Sequence, residues 1–172
     1  MTTVYLLDAS VLITAHNLYY AIDAVPEYWD WLTHVGAKGL VKMPFEIFEE
    51  VNEGPDGDKD LLFAWLRQET TKSALLLPEA IHPPLVQHVI SQGYAADLTD
   101  DQLEQLGRDP FLIAYALSAA DRCVVTVETS EPKKQRQNRK IPDVCKTLGV
   151  ACCSPFEFNR KLGFRTNWKQ YI

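Results

Sequence analysis

The segment Val4-Tyr5-Leu6-Leu7-Asp8-Ala9-Ser10 near the start of the chain decides the fold. Its first four residues are a short apolar run with a β-branched and an aromatic member, which is typical of a central strand. Asp8 follows at once, and the apolar periodicity of Val11 to Ile13 then predicts a helix. A carboxylate at the end of a buried strand is costly to bury unless it is hydrogen-bonded, paired or metal-bound. Asp8 is therefore either a functional group at a ligand-binding sheet edge or the N-cap of the next helix.

The composition is that of an ordinary globular protein. A length of 172 residues predicts a single domain over 1–172. The net charge of -6 argues against a uniformly basic surface for nucleic acid, although it leaves room for a local basic patch. No apolar run approaches the roughly 20 residues of a membrane helix, and the N-terminus lacks the basic region of a signal peptide. The four cysteines form no CxxC pair, which predicts reduced thiols and a cytoplasmic protein without a membrane partner.

Further apolar runs predict the rest of a sheet. They lie at 40–43, 74–77, 122–127 and 150–153, and segments with helical periodicity separate them. Alternation of strands and helices predicts an α/β fold, with a parallel sheet that carries helices on both faces. The helix at 27–35 contains Trp29 and Trp31, and such dense tryptophan indicates core, a partner surface or a nucleic-acid stacking surface.

A second acid comes from the helix predicted at 45–52. Its apolar stripe includes Ile47 and Val51, and Glu50 lies closest to that stripe. Glu50 is therefore the expected cleft-facing acid of this helix. The other acids of the segment are expected to be solvated charges: Glu46, Glu49 and Glu53.

Two more acids lie at element boundaries. Asp109 precedes Pro110 in the arrangement of an N-cap followed by proline at the first helical position. Glu128 follows the apolar run 122–127, just as Asp8 follows the first strand. Because the carboxyl ends of parallel strands lie at one edge of a sheet, Asp8, Asp109 and Glu128 are expected to gather there, with Glu50 reaching in from its helix.

Four carboxylates in one cleft repel each other unless cations neutralise them. Hard oxygen ligands of this kind select Mg²⁺ or Mn²⁺. Such ions, held by carboxylates, support phosphodiester hydrolysis by activating water and steadying the leaving oxygen. A nearby basic loop is expected to hold the phosphate backbone of the substrate through Lys133, Lys134, Arg136, Arg139 and Lys140.

Four motifs, in this order, resemble the PIN domain, the nuclease fold of VapC-type toxins. They are LLDASVLI from residue 6, PFEIFEEV from 44, DPFLIAYA from 109 and VVTVE from 124. The resemblance covers roughly residues 3–157, and 158–172 form the end of the last helix and a tail. The chain is most similar to a bacterial PIN-like subfamily of unknown function, which shares the KIPDVC run at 140–145.

The resemblance implies a PIN-like three-layer α/β/α sandwich with a parallel sheet in the order 3-2-1-4-5. It implies a magnesium-dependent ribonuclease, often the toxin of a toxin–antitoxin pair, with an antitoxin partner and a homodimeric state. Asp8, Glu50 and Asp109 match the first three acids of the family and would hold the metal. Glu128 stands at the fourth position, where it is one methylene longer than the usual aspartate. The supporting residues of the family site match Ser10 and Thr126, and Asp143 would supplement the acids.

These observations leave several functions open. The leading hypothesis is a Mg²⁺- or Mn²⁺-dependent endoribonuclease. A second is a non-catalytic PIN-like module that binds RNA or protein through the tryptophan-rich helix and the basic loop, and Glu128 and the lengthened segment between Asn52 and Asp109 keep it open. DNA in place of RNA would use the same site. Trp29 and Trp31 are the expected dimer surface.

Overall fold

A computed structural model describes residues 2–53 and 60–172, which form an α/β structure. Its strands are β1 (Val4–Leu7), β2 (Val41–Lys42), β3 (Arg122–Val125) and β4 (Ala151–Cys153). The α-helices within these ranges are α1 (Ala9–Thr14), α2 (Pro26–Ala37), α3 (Phe45–Asn52), α4 (Leu61–Leu66), α5 (Glu69–Leu75), α6 (Pro83–His88), α7 (Asp100–Gln105), α8 (Asp109–Leu117), α9 (Ile141–Leu148) and α10 (Pro155–Lys161). π-helical segments at Ala15–Tyr19 and Val89–Tyr94 extend α1 and α6, and short 3-10 helices lie at Arg136–Asn138 and Trp168–Tyr171.

The strands form one parallel sheet in the order β2-β1-β3-β4. Leu7 pairs with Val125, and Val125 pairs with Cys153, so the carboxyl ends of β1, β3 and β4 are level. The N–H of Asp8 extends the pairing by donating to the carbonyl of Val125 at 3.0 Å. The predicted parallel sheet is thus confirmed, and Asp8 lies at the edge where open α/β sheets bind ligands.

The predicted strand at 74–77 is reduced to a single parallel bridge between Met43 and Leu76. Thr71, Ala74 and Leu75 are buried at helical spacing, so α5 continues up to Leu75 and leaves too few residues for a strand. The described residues therefore form four strands, and the expected count of five is not confirmed.

Helices contact the sheet on several sides. The ring of Tyr5 on β1 meets Phe158 of α10 edge to face, with centroids 5.3 Å apart, and Phe158 in turn contacts Trp31 of α2. Further along the sheet, α8 packs on β3 and α9 packs on β4. This arrangement is consistent with a three-layer α/β/α fold.

The tryptophan-rich helix α2 lies in the core. Trp29 and Trp31 are only 1% and 2% exposed. The Trp29 indole N–H donates to the carbonyl of Tyr20 at 2.6 Å, and its ring meets Trp65 edge to face. The expectation that Trp29 and Trp31 form a dimer or nucleic-acid surface is wrong, because both rings are buried. Their large apolar area stabilises the core instead.

Two further sequence expectations can be compared with the structure. None of the helices in the described ranges is long and apolar enough to cross a membrane. The cysteines carry free thiols, as the absence of a pairing motif predicted, and Cys123, Cys145 and Cys153 are buried.

Candidate functional site

Asp8 lies at the carboxyl end of β1, where it is 6% exposed. It occupies the N-cap position of α1, but its carboxylate makes no capping hydrogen bond. Oδ2 instead accepts from the hydroxyls of Ser10 at 2.5 Å and Thr126 at 2.9 Å. Burial raises the pKa of the Asp8 carboxyl, the two hydroxyl donors oppose this rise, and the charge of Glu128 adds to it. Asp8 is therefore more than a helix cap, since its carboxylate accepts from Ser10 and Thr126 as well as from the backbone N–H of Ala9 at the start of α1.

Thr126 connects two of the acids. Its hydroxyl donates to Asp8 and accepts from the backbone N–H of Glu128 at 3.2 Å. Thr126 is 1% exposed and follows directly after β3, so the sheet fixes its position. Ser10 and Thr126, both expected as supporting residues, thus contact Asp8 directly.

Glu50 of α3 approaches the same place from the side of the helix. Its carboxylate is half-buried, and its Oε2 atom has no hydrogen-bond partner among the described residues. Burial raises the pKa of Glu50, the charge of Asp8 raises it further, and the guanidinium of Arg108 lowers it. Glu50 therefore faces Asp8, as the helical spacing predicted.

The remaining acids of α3 have other roles. Glu49 and Glu53 form ion pairs with Arg108 at 4.0 and 3.5 Å. Glu46 accepts a hydrogen bond of 3.4 Å from the Tyr115 hydroxyl, and its other carboxylate oxygen is buried without a partner in residues 2–53 and 60–172. The expectation of a solvated side chain is therefore wrong for Glu46.

Asp109 is an acid of this group with a strongly raised pKa. Burial and then the charges of Asp8, Glu128 and Glu50 raise its pKa to about 8, and the ammonium of Lys140 acts in the opposite direction. The predicted N-cap role is wrong, because Arg108 is the N-cap and Asp109 lies in the first turn of α8. Its carboxyl is thus placed among the other acids at the start of the helix.

Glu128 lies beyond the sheet, because β3 ends at Val125 and not at the predicted residue 127. One carboxylate oxygen accepts from the N–H of Ile141 at 2.8 Å, and the other lies 3.8 Å from the Lys140 ammonium. Glu128 is therefore held by the start of α9, and its charge raises the pKa of both Asp8 and Asp109.

We call the group Asp8, Glu50, Asp109 and Glu128 the acidic cleft. These four side chains share one electrostatic neighbourhood: Glu128 raises the pKa of Asp8, Asp8 raises that of Glu50, and all three raise that of Asp109. In the described part of the chain, no three His, Cys, Asp or Glu side chains are arranged closely enough to hold a metal ion. The donor set nevertheless suits a hard divalent cation, because it consists of carboxylates with a buried, unpartnered oxygen on Glu50.

Asp143, which is expected to supplement the acids, has hydrogen-bond partners of its own. It is buried in the first turn of α9, where it accepts hydrogen bonds from the Ser130 hydroxyl and, at 2.8 Å, from the Glu131 N–H. The Ser130 bond is the main reason that the pKa of Asp143 is lowered. Asp143 thus anchors the residues that lead into the basic loop, and it lines a surface depression together with Glu128 of the acidic cleft.

The basic loop lies beside the acidic cleft. A depression of about 530 Å³ is lined by residues of both, including Asp109, Glu128, Lys134, Arg139 and Lys140. Most of the cations expected to bind phosphate already have protein partners. Lys134 lies 3.3 Å from Glu131, Arg136 pairs with Asp97 at 2.7 Å, and Arg139 donates to the carbonyl of Gly93 and to the Thr147 hydroxyl at 2.8 Å. Lys133 is exposed.

Sequence reasoning missed two residues near the acids. Arg108 counters the charge of Glu50, and Tyr94 carries a buried hydroxyl without a hydrogen-bond partner in the described ranges. Burial and then the charges of Asp109 and Glu128 raise the pKa of Tyr94. Nothing in the sequence around Tyr94 indicates which neighbours its hydroxyl would have in the folded chain.

Two comparisons with known proteins add little about activity. Residues 5–166 match the family model described as "Domain of unknown function (DUF4411)". No curated protein gives a significant match to the chain.

Proposed function

Since the chain belongs to the DUF4411 family, whose function is unknown, we propose from the acidic cleft that this protein is a Mg²⁺- or Mn²⁺-dependent endoribonuclease of the PIN-like type. The observation that carries the proposal is the convergence of Asp8, Glu50, Asp109 and Glu128 at the carboxyl ends of parallel strands. Carboxylates that raise one another's pKa are unfavourable without a cation, so this group favours a metal-dependent function.

The sheet also supports the PIN-like assignment. If the bridge at Leu76 is counted as a rudimentary edge strand, it lies beside β2 and the order along the sheet becomes 3-2-1-4-5 in chain order. This is the order that the resemblance implies. The acids then occupy the edge of the sheet where that fold would place its site.

The residues in and around the acidic cleft would have different roles in binding the metal ion and in positioning its ligands. A divalent ion, when bound, would neutralise the carboxylates and supply Lewis-acid activation for the attack of water on phosphorus. Asp8, Glu50 and Asp109 would hold it. Ser10 and Thr126 orient Asp8 through their hydroxyl groups. Glu128 is held by the Ile141 N–H and the Lys140 ammonium, and it would complete or orient the ligand set of the ion.

The decisive experiment is cleavage of a mixed RNA pool by purified protein with Mg²⁺, Mn²⁺ or EDTA. We expect metal-dependent cleavage that Asp8→Asn abolishes, while Asp101→Asn, which alters an exposed aspartate of α7, cuts like the wild type. Cleavage at wild-type rates by Asp8→Asn would exclude this site. A parallel single-stranded DNA pool would show whether RNA is the preferred substrate.

A non-catalytic binding module is the second candidate. It is favoured by the internal ion pairs of the basic loop and by the absence, among the described residues, of three acids at metal-binding distance. Isothermal titration with Mn²⁺ separates the two functions. A module without a catalytic site would show no Mn²⁺ binding that Asp8→Asn removes.

The proposal includes two protein partners, an antitoxin and a second copy of this chain. A toxin of this type would have an antitoxin, and we propose that a basic side chain of that partner would enter the acidic cleft. A homodimer would need a surface other than Trp29 and Trp31, which are buried.

A further inference from the structure

An apolar pocket of about 220 Å³ lies between the α1 segment and α10. Tyr19 and Phe156 line it, and their rings meet edge to face with centroids 5.2 Å apart. These side chains are 52% and 47% exposed, although aromatic rings gain most when they are covered. The π-helical segment Ala15–Tyr19 places Tyr19 at this edge, and such segments are frequent at functional sites.

A buried polar group also lines this pocket. Asn159 of α10 is 7% exposed, and its Oδ1 atom has no hydrogen-bond partner in the part of the chain that the structure describes. The side chain of Asn159 also interacts with the buried hydroxyl of Tyr28, which lines the same pocket. A buried acceptor without a donor is unfavourable, so Asn159 indicates a ligand that supplies an N–H or O–H group.

The pocket adjoins the acidic cleft. Val127 and Thr129, on either side of Glu128, both line it. Val11 lines it as well, and this residue lies one helical turn beyond Asp8. A chain whose phosphate lies at the acidic cleft could therefore place an adjacent group in the pocket.

We propose that the pocket binds one nucleobase of the substrate strand, beside the phosphate at the acidic cleft. The proposal rests on the nuclease function proposed above. The volume is below the roughly 300–1,000 Å³ of pockets for drug-sized ligands, which suits a single planar ring system. Tyr19 and Phe156 would stack or pack against the base, as aromatic side chains do in single-strand binding.

Asn159 gives this subsite a preference among the four RNA bases. Its Oδ1 would accept a hydrogen bond from the exocyclic amino group of cytosine, adenine or guanine. Uracil carries no amino group, and its N3–H lies between two carbonyl oxygens that would face the Asn159 acceptor. The subsite should therefore favour amino-bearing bases over uracil.

A second copy of this chain is the competing occupant. Leu18, which is 72% exposed, lies next to Tyr19 and would add apolar area to a dimer contact. The buried acceptor of Asn159 favours the base, because a flat apolar contact between two copies would leave that oxygen unpaired. Dimerisation through this face is therefore one outcome of the test.

Cytidine and uridine are the matched probes, because they lack phosphate and differ only in the donor and acceptor at position 4 and N3. We would titrate each by NMR in EDTA into the wild type, Tyr19→Ala, Asn159→Leu and the control Tyr171→Ala. Tyr171 is an exposed tyrosine outside the pocket. We expect tighter binding of cytidine, on the order of tenfold weaker binding in Tyr19→Ala, and loss of the cytidine preference in Asn159→Leu.

Several results would overturn the subsite. They are no saturable binding of either nucleoside, equal binding of the two, or an equal loss in Tyr171→Ala. A dimeric elution volume that Phe156→Ala converts to monomer, without nucleoside binding, would assign the face to a second copy. Phe156→Ala also serves if Asn159→Leu fails to fold, because Phe156 is half exposed and its loss should weaken cytidine binding as Tyr19→Ala does.

A cleavage assay on the same preparations separates this proposal from the nuclease proposal. Cytidine binding without RNA cleavage would support the base pocket and reject the nuclease. RNA cleavage without nucleoside binding, and with unchanged base preference in Asn159→Leu, would support the nuclease and reject the base pocket.

Discussion

The hydroxyl of Thr126 donates a 2.9 Å hydrogen bond to Oδ2 of Asp8, which joins residues 118 positions apart at the ends of β1 and β3. Both groups are buried, so this bond exchanges little with water. The same hydroxyl accepts from the N–H of Glu128. One threonine thus fixes two acids of the acidic cleft relative to the sheet.

Replacing Thr126 with valine should weaken cleavage and destabilise the fold by about 1 kcal/mol, because Asp8 loses one of its donors while the side-chain shape is kept. Cleavage rates and urea unfolding would measure both effects. Thr126→Ser keeps the hydroxyl and should restore most of the activity. Equal activity in Thr126→Val and the wild type would show that Asp8 does not depend on this bond.

Replacing Asp109 with asparagine should abolish cleavage and yet stabilise the metal-free protein at pH 7, by on the order of 1–2 kcal/mol. The reason is that partial burial, and then the charges of the neighbouring carboxylates, raise the pKa of Asp109 to about 8. Thermal unfolding in EDTA would measure the change. Asp101→Asn, at an exposed position in the first turn of α7, should give no such gain.

The pH dependence of stability has a defined sign at Asp109. Its folded pKa of about 8 lies above the usual value of about 3.9, so the folded protein retains a proton that the unfolded chain releases between these pH values. This group should therefore make the metal-free protein less stable as the pH rises from about 4 to 8. Asp109→Asn should flatten that decline, and an unchanged slope in denaturant titrations would contradict the electrostatic cause.

Replacing Glu50 with glutamine should lower cleavage by at least about 100-fold, because the charge facing Asp8 is removed without a change in size. The matched control is Glu49→Gln on the same helix. Glu49 pairs with Arg108 at the surface, so its variant should cut at nearly the wild-type rate. Similar losses in both variants would indicate a general effect of charge on α3.

Replacing Asp143 with alanine should loosen the basic loop, because Ser130 and Glu131 lose their common acceptor. Limited trypsin digestion would show faster cleavage at Lys133 and Lys134. Metal binding at the acidic cleft should change little, since both carboxylate oxygens of Asp143 are engaged by Ser130 and Glu131. A loss of Mn²⁺ binding equal to that of Asp8→Asn would instead return Asp143 to the metal site.

The sequence predicted the elements whose signal is local. The helix over Phe45–Asn52 is confirmed at both ends, and the side of it that carries Glu50 followed from the spacing of Ile47 and Val51. It also predicted the parallel sheet and the position of Asp8 after β1. The prediction of a strand at 74–77 failed because an apolar run of four residues fits either a strand or the end of a helix.

The sequence left the burial of the tryptophans open, because dense tryptophan fits a core, a partner surface or a stacking surface. The pattern of α2 left open which of its rings face the core, and only the contacts of Trp29 with Tyr20 and Trp65 decide it. The basic loop presents the same difficulty. Its cations were visible in the sequence, and so was Glu131, three residues before its partner Lys134, but Asp97, which pairs with Arg136, is brought to the loop by folding.

By itself, the sequence determined the α/β class and identified the four acids, because strand ends and helix faces are encoded by residues a few positions apart. Only the tertiary structure decided which groups surround each acid. Three features depend on how separate segments meet in the fold. They are the hydrogen bond from Thr126 to Asp8, the hydrogen bond from the Ile141 N–H to Glu128, and the unpaired oxygen of Asn159. Burial and neighbouring charge set the chemistry of a carboxyl group, and both exist only after the chain has folded.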